Sequence, residues 1–295
     1  MSTNTDTIAQ TLDHFAIAVS DLASASETYT RLGFNVRPSA THVELGSANC
    51  VIHFPATYIE LVTFLNANQS LKAQYQERLD VGDGLANVSL GSRGLAADRA
   101  RLASAGLPID PILNARRAII RPDGVADETD SSCFYVWRKD NRFMSLFHSH
   151  HAKPETIFIG EYEHHANSVR DILRLVYMSR NPSADTGYFS TLLCTPPTVV
   201  AHDAYTWAGA RGEIVEILSV ERAAQRYGSR LPPDPLGPLI GVGVALHYAV
   251  SSLETCERHL AAHGVPYTRD DSGLVIAANA ACGVVTVFEE TTQRT

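Results

Sequence analysis

Four stretches of this chain share one order of local signals. In "LDHFAIAVSDLASASETYTRLGF" (12–34) an apolar run reads as a strand, and a polar break follows it. Ala25, Tyr29 and Leu32 then fall on one helical face, and Gly33 stops the helix. "NVRPSATHVEL", "ANCVIHF" and "YIELVTF" add three strand-like pieces, which gives a βαβββ unit over residues 12–65. The same order returns in "LANVSLGSRGLAADRARLASAGLPI" (85–109), "LRLVYMSRNPSADTGYFSTLLC" (173–194) and "VALHYAVSSLETCERHLAAHGVPY" (244–267). The closing strands of these three copies are "RFMSLFHSH", "GEIVEILSV" and "GVVTVFEE". Superposing Gly106 and Gly264 on Gly33, and Leu192 on Leu32, places Asn87, Arg174 and Ala245 on His14.

A single βαβββ unit leaves sheet edges and one apolar face open, so it must pair with another. The expected fold is α+β: four βαβββ modules paired into two incomplete barrels. The first barrel spans 11–152 (modules 12–65 and 85–150) and the second 162–292 (modules 170–220 and 240–290). Residues 1–10 read as a disordered lead and 153–161 as a linker, and "RYGSRLPPDPLGP" joins the third module to the fourth. A content of 45% hydrophobic and 19% charged residues suits a globular chain with a sizeable core. The formal net charge of −8 argues against nucleic acid as a partner, and no apolar run approaches the roughly 20 residues of a membrane span. Five scattered cysteines without a CxxC pair, and an N-terminus unlike a signal peptide, point to reduced thiols in the cytoplasm. GxSxG, P-loop, GxGxxG and HExxH signatures are absent from the sequence.

"LDHFAIAVSDL", "RLGFNV", "THVELGSANCVIHF" and "YIELVTF" resemble the vicinal oxygen chelate superfamily, and within it the glyoxalase-like domain group. The resemblance implies paired modules around one divalent metal (iron, manganese, zinc or nickel), with ligands on the first and last strand of each module. Carried onto this chain it makes His14 and Glu60 metal ligands, and Glu60 also the catalytic base. Imidazole and carboxylate suit such an ion, and a carboxylate flanked by Tyr58, Ile59, Leu61 and Val62 would be costly to bury alone. The other aligned positions hold Asn87 and Ser145, Arg174 and Glu216, and Ala245 and Thr286, so no barrel has a complete set. A third ligand is sought among His148, His150, His151, His164 and His165. "HHANSVRDI" resembles a stretch of the group in which a histidine precedes Asn, which selects His165. His42 is a candidate general base, and His53, Asn87 and His151 are candidate substrate contacts. A competing site in the second barrel would join His164 or His165 to His247 and to Glu216 or Glu289. The implied activity is lyase- or isomerase-type proton transfer on a small substrate with vicinal oxygens, through an enediolate-like intermediate. An iron-dependent ring-cleaving dioxygenase and a metal-free sequestering protein are the alternatives. A homodimer is the expected assembly.

Overall fold

A computed structural model describes residues 9–42, 45–65, 69–138, 140 and 142–291; most of the expected lead, residues 1–8, lies outside them. The first module contains β1 (Leu12–Ala18), α1 (Leu22–Arg31), β2 (Ala40–His42), β3 (Ser47–His53) and β4 (Tyr58–Phe64). A helix α2 (Gln69–Val81) leads to the second, which has β5 (Gly84–Gly91), α3 (Leu95–Ser104), β6 (Leu113–Ile120), β7 (Ala126–Val136) and β8 (Leu146–His151). The third contains β9 (Val169–Ser179), α4 (Pro182–Leu193), β10 (Thr198–Ala201), β11 (Ala204–Ala208) and β12 (Ile214–Ser219). After α5 (Val220–Tyr227), the fourth has β13 (Gly241–Val250), α6 (Leu253–Ala262), β14 (Thr268–Asp270), β15 (Gly273–Ile276) and β16 (Val285–Glu290).

The four modules make two eight-stranded sheets, ordered β2-β3-β4-β1-β5-β8-β7-β6 and β10-β11-β12-β9-β13-β16-β15-β14. The modules of each pair meet antiparallel, β1 on β5 and β9 on β13, and the last strand of each module runs parallel to its first. The edge strands β2 and β6 approach each other and curl the first sheet into a cup. Register supports the superposed first strands. Ala16 lies opposite Asn87 and His14 opposite Ser89, just as Val176 lies opposite Ala245 and Arg174 opposite His247. The closing strands differ from expectation. Ala16 pairs with Glu60 and Val176 with Glu216, but Ser89 pairs with Phe147 and His247 with Val287. Phe147 and Val287, rather than Ser145 and Thr286, therefore stand at the Glu60 position. In a strand a slip of one residue turns a side chain to the other face.

Helix α1 begins where the Asp21 carboxylate accepts from the Ala23 and Ser24 N–H groups, at 2.9 and 3.1 Å. Its apolar face joins a core that runs through both barrels, where Phe34 and Phe54 of the first meet Tyr248 of the second. His148, His150 and His151 all lie on β8, the closing strand of the second module. The chain beyond them makes two 3₁₀ turns, Pro154–Thr156 and Gly160–Tyr162. Among the described residues no helix is long and apolar enough to cross a membrane.

Candidate functional site

Strand β1 is not regular against β5. Leu12 faces Leu90 while His14 faces Ser89, so Asp13 is an extra residue in the ladder, a β-bulge. The bulge brings the side chains of two consecutive residues to one place, which strict alternation would send to opposite faces. Asp13 Oδ2 lies 2.6 Å from His14 Nδ1 and 3.1 Å from His151 Nε2. His151 Nδ1 lies 2.7 Å from Ser131 Oγ. Burial alone would raise the Asp13 carboxyl, but the hydrogen bonds and charges of His14 and His151 outweigh it and hold the group well below the usual carboxylate range. The His14 ring stacks on Tyr58 at 4.3 Å and meets the edge of Phe147 at 5.0 Å, which fixes its orientation.

His14 and His151 face the inside of the cup, in a chamber with a free volume of about 80 Å³. Glu60 lines the same chamber, two residues beyond Tyr58 on β4. Its Oε1 accepts from Asn49 Nδ2, and His42 Nε2 lies 3.7 Å from that oxygen. Asn49 Oδ1 in turn accepts from Arg117 Nη1 at 3.1 Å. His53 stands between this chamber and an outer one. Burial, with Arg117 nearby, pushes its imidazole down to about 3, so it is neutral.

Five of the expected residues, His14, His42, His53, Glu60 and His151, thus surround one cup. Asn87 is not among its lining residues: it is buried beside the Tyr75 hydroxyl of α2. His165 is placed elsewhere. Its Nδ1 accepts from the Asn35 N–H and its Nε2 donates to the His53 carbonyl, both at 3.0 Å, and its ring packs on Phe34 and Phe54. With both nitrogens bound to backbone, His165 does not join His14 and Glu60. Among the described residues one group alone, Asp13, His14 and His151, brings three ligand atoms within 4.8 Å of one another. Sequence reading missed Asp13 because period-two alternation turns it away from His14, and nothing in "LDHF" announces a bulge. The competing set in the second barrel is not assembled either. Glu216 is held by Arg174 at 2.9 Å and by Arg226 at 2.7 and 3.0 Å, and His247 sits between Glu289 and the Tyr227 hydroxyl. His164 is exposed.

Two imidazoles and a carboxylate are the donor set that holds iron(II) and related divalent ions while leaving positions open. Asp13, His14 and His151 fit that role. They are largely buried, the carboxylate is ionised, and Ser131 anchors the far nitrogen of His151 as outer partners of metal-bound histidines do.

Paired βαβββ modules in two eight-stranded sheets, one of them curled into a cup lined by His14 and His151, define the vicinal oxygen chelate architecture. The chain belongs to the glyoxalase-like domain family of that superfamily, whose Glyoxalase-like domain (Glyoxalase_3) matches residues 12–193, more than half of the sequence. Among curated proteins no sequence relative is found. Solved structures share the fold. A hypothetical protein from Staphylococcus aureus superposes with a TM-score of 0.68 at 12% identity, over 95% of this chain and 99% of that one. A mutant of 4-hydroxymandelate synthase from Streptomyces coelicolor gives 0.63 at 10% identity, over 98% and 94%. The Mn(II)-bound glyoxalase from Novosphingobium aromaticivorans gives 0.55 at 11% identity, over 97% and 83%. At these identities the likeness concerns the fold.

Proposed function

We propose that this protein is a metal-dependent, glyoxalase-like enzyme whose active site is the first cup, acting on a small substrate with two adjacent oxygens. The observation that carries this reading is the meeting of Asp13 with His14 and His151, two histidines that line a cup also lined by Glu60. Those three residues would hold the divalent ion, which when bound supplies Lewis-acid polarisation of the substrate oxygens. The rest of the reaction falls to the chain. Glu60 is the base that takes the proton from the carbon beside the carbonyl, with Asn49 fixing Oε1. His42, 3.7 Å from the same oxygen, is placed to exchange that proton. Tyr58 and Phe147 shield the metal-binding histidine, and the small chamber admits only the reacting head of the substrate. The five cysteines, none of them in a disulfide, accord with the cytoplasmic location we propose.

Metal analysis tests the site. Protein dialysed against manganese(II) or iron(II) should retain about one equivalent, and His14→Ala and His151→Ala should each lose it while keeping the wild-type circular dichroism. A wild-type chain that retains no metal, or a folded His14→Ala that keeps it, overturns the reading. For the reaction, hydroxyacetone in D₂O should gain deuterium at carbon with the wild type, and Glu60→Gln should slow this by about 10²-fold or more. The same donor set also serves non-haem iron oxygenases. Oxygen uptake by the iron(II) form with catechol, without deuterium exchange, would favour ring cleavage instead.

A further inference from the structure

Beside the cup lies the outer chamber, with a free volume of about 260 Å³. Two guanidinium groups face it. Arg117 is buried, with its Nη1 on the Asn49 amide oxygen, and among the described residues no carboxylate makes an ion pair with it. Arg37 Cζ lies over the Tyr162 ring, 3.5 Å from the centroid, and Arg37 likewise has no described carboxylate partner. One carboxylate, Asp127, lines this chamber, and it is engaged by Lys153 at 3.3 Å and Arg121 at 3.4 Å. Glu60 is separated from Arg117 by the Asn49 amide that binds both.

Two guanidinium groups on one chamber are a costly feature: Arg117 is buried, the Glu60 charge offsets that burial only in part, and the half-buried Arg37 repels it. The cost is not a by-product of composition, because the chain as a whole carries a formal charge of −8. His53, which feels both arginines, stays neutral and adds no further positive charge. The remaining wall is mainly apolar, with Pro38, Ile120 and Ile159 beside the hydroxyl residues Ser39 and Thr156.

We propose that the outer chamber is an oxyanion-binding subsite, and that the substrate carries a carboxylate or phosphate on a short apolar stem, held by the forks of Arg117 and Arg37. A guanidinium binds either oxyanion through two parallel hydrogen bonds, so both sources share the recognition. The placement of the substrate head in the cup rests on the function proposed above; the anion subsite does not.

Calorimetric titration of the full chain with phenylacetate, phenyl phosphate and the uncharged isostere phenylacetamide tests it. At least one anion should bind tenfold or more tightly than the amide, and binding should weaken with added salt. The tighter of the two anions identifies the source. Arg117→Gln and Arg37→Ala should each weaken that anion by about tenfold or more, the effect of losing a charged hydrogen-bond pair. If Arg117→Gln does not fold, Arg37→Ala, nearer the chamber mouth, carries the test. His14→Ala should bind the anion as the wild type does. Anions no better than the amide, or arginine variants that bind like the wild type, overturn the proposal. The two readings fail separately: metal without anion preference removes the subsite alone, and anion preference without metal removes the metal centre alone.

Discussion

His148 shows how a titratable side chain behaves when burial leaves it no partner. Its ring lies parallel to Phe134 at 5.1 Å in the first barrel, and neither ring nitrogen has a hydrogen bond. Burial lowers its pKa from 6.5 to about 4; burial also takes His165 to about 4 and His53 to about 3. In the unfolded chain each would protonate near pH 6.5, whereas in the fold each stays neutral until the pH reaches its lowered value. Between those limits the unfolded state binds more protons, so stability falls as the pH falls and is fully present above pH 6.5. Each such histidine should cost ~2 kcal/mol between pH 7 and pH 5, at 1.36 kcal/mol per unit of displacement. Urea midpoints should therefore drop over that interval. His148→Phe should recover ~2 kcal/mol at pH 5 relative to wild type and little at pH 7. A variant with the wild-type pH profile would contradict the assignment. The candidate site was legible to a similar depth. His14 and Glu60 were singled out by resemblance, His42 and His53 as histidines of the first module, and His151 as one of the histidines near the barrel boundary; all five line the cup. His165 stood out by resemblance to a local motif, but a motif carries no information about which backbone groups will occupy its nitrogens.

At the scale of an element, the closing glycines have unequal duties. Gly33, Gly106 and Gly264 end α1, α3 and α6 with φ of 96°, 78° and 62°, and in the third module Cys194 takes the left-handed position at 57°. Gly106 has open space where a Cβ would stand, whereas at Gly33 a Cβ would meet Asn167 Cβ at 2.7 Å and the His259 ring at 2.8 Å. Asn167 also seals this junction, its Nδ2 donating to the Leu32 carbonyl at 2.9 Å. Gly106→Ala should accordingly cost only the backbone strain, about 1 kcal/mol. Gly33→Ala adds overpacking between the barrels and should cost about 2 kcal/mol more. Chemical denaturation of the two variants side by side checks the difference, and equal losses would argue against tight packing at the junction. The modules were legible because each encloses a helix between strands of matching period. Helices α2 and α5 were not. α2 has low amphipathic contrast, with Tyr75 among few apolar residues, and α5 is only eight residues long. The bulge at Asp13 lay beyond any period-based reading, because it is defined by the partner strand.

Taken whole, the molecule repeats one architecture with two different floors. Where the first barrel's sheet has His14 and Glu60, the second sheet has Arg174 and Glu216, and Arg226 joins them to close the position with an ion-paired triad. Burial would raise the Glu216 carboxyl, but Arg226 and Arg174 outweigh it and keep the group ionised. A buried carboxylate already engaged by two guanidinium groups has little capacity left for a cation, so the metal centre we propose should be single, with one equivalent per chain rather than two. The two barrels share a continuous apolar core, so damage to either floor should appear in the unfolding of the whole chain. Glu216→Gln leaves Arg174 and Arg226 facing each other without their counter-charge. It should destabilise the protein by about 3 kcal/mol, yet leave its metal content unchanged. His14→Ala should do the reverse, abolishing metal binding at a smaller cost in stability. Measuring both quantities on both variants separates a floor that binds from one that only holds the fold together. Loss of metal in Glu216→Gln would move the centre to the second barrel and end the case for the first.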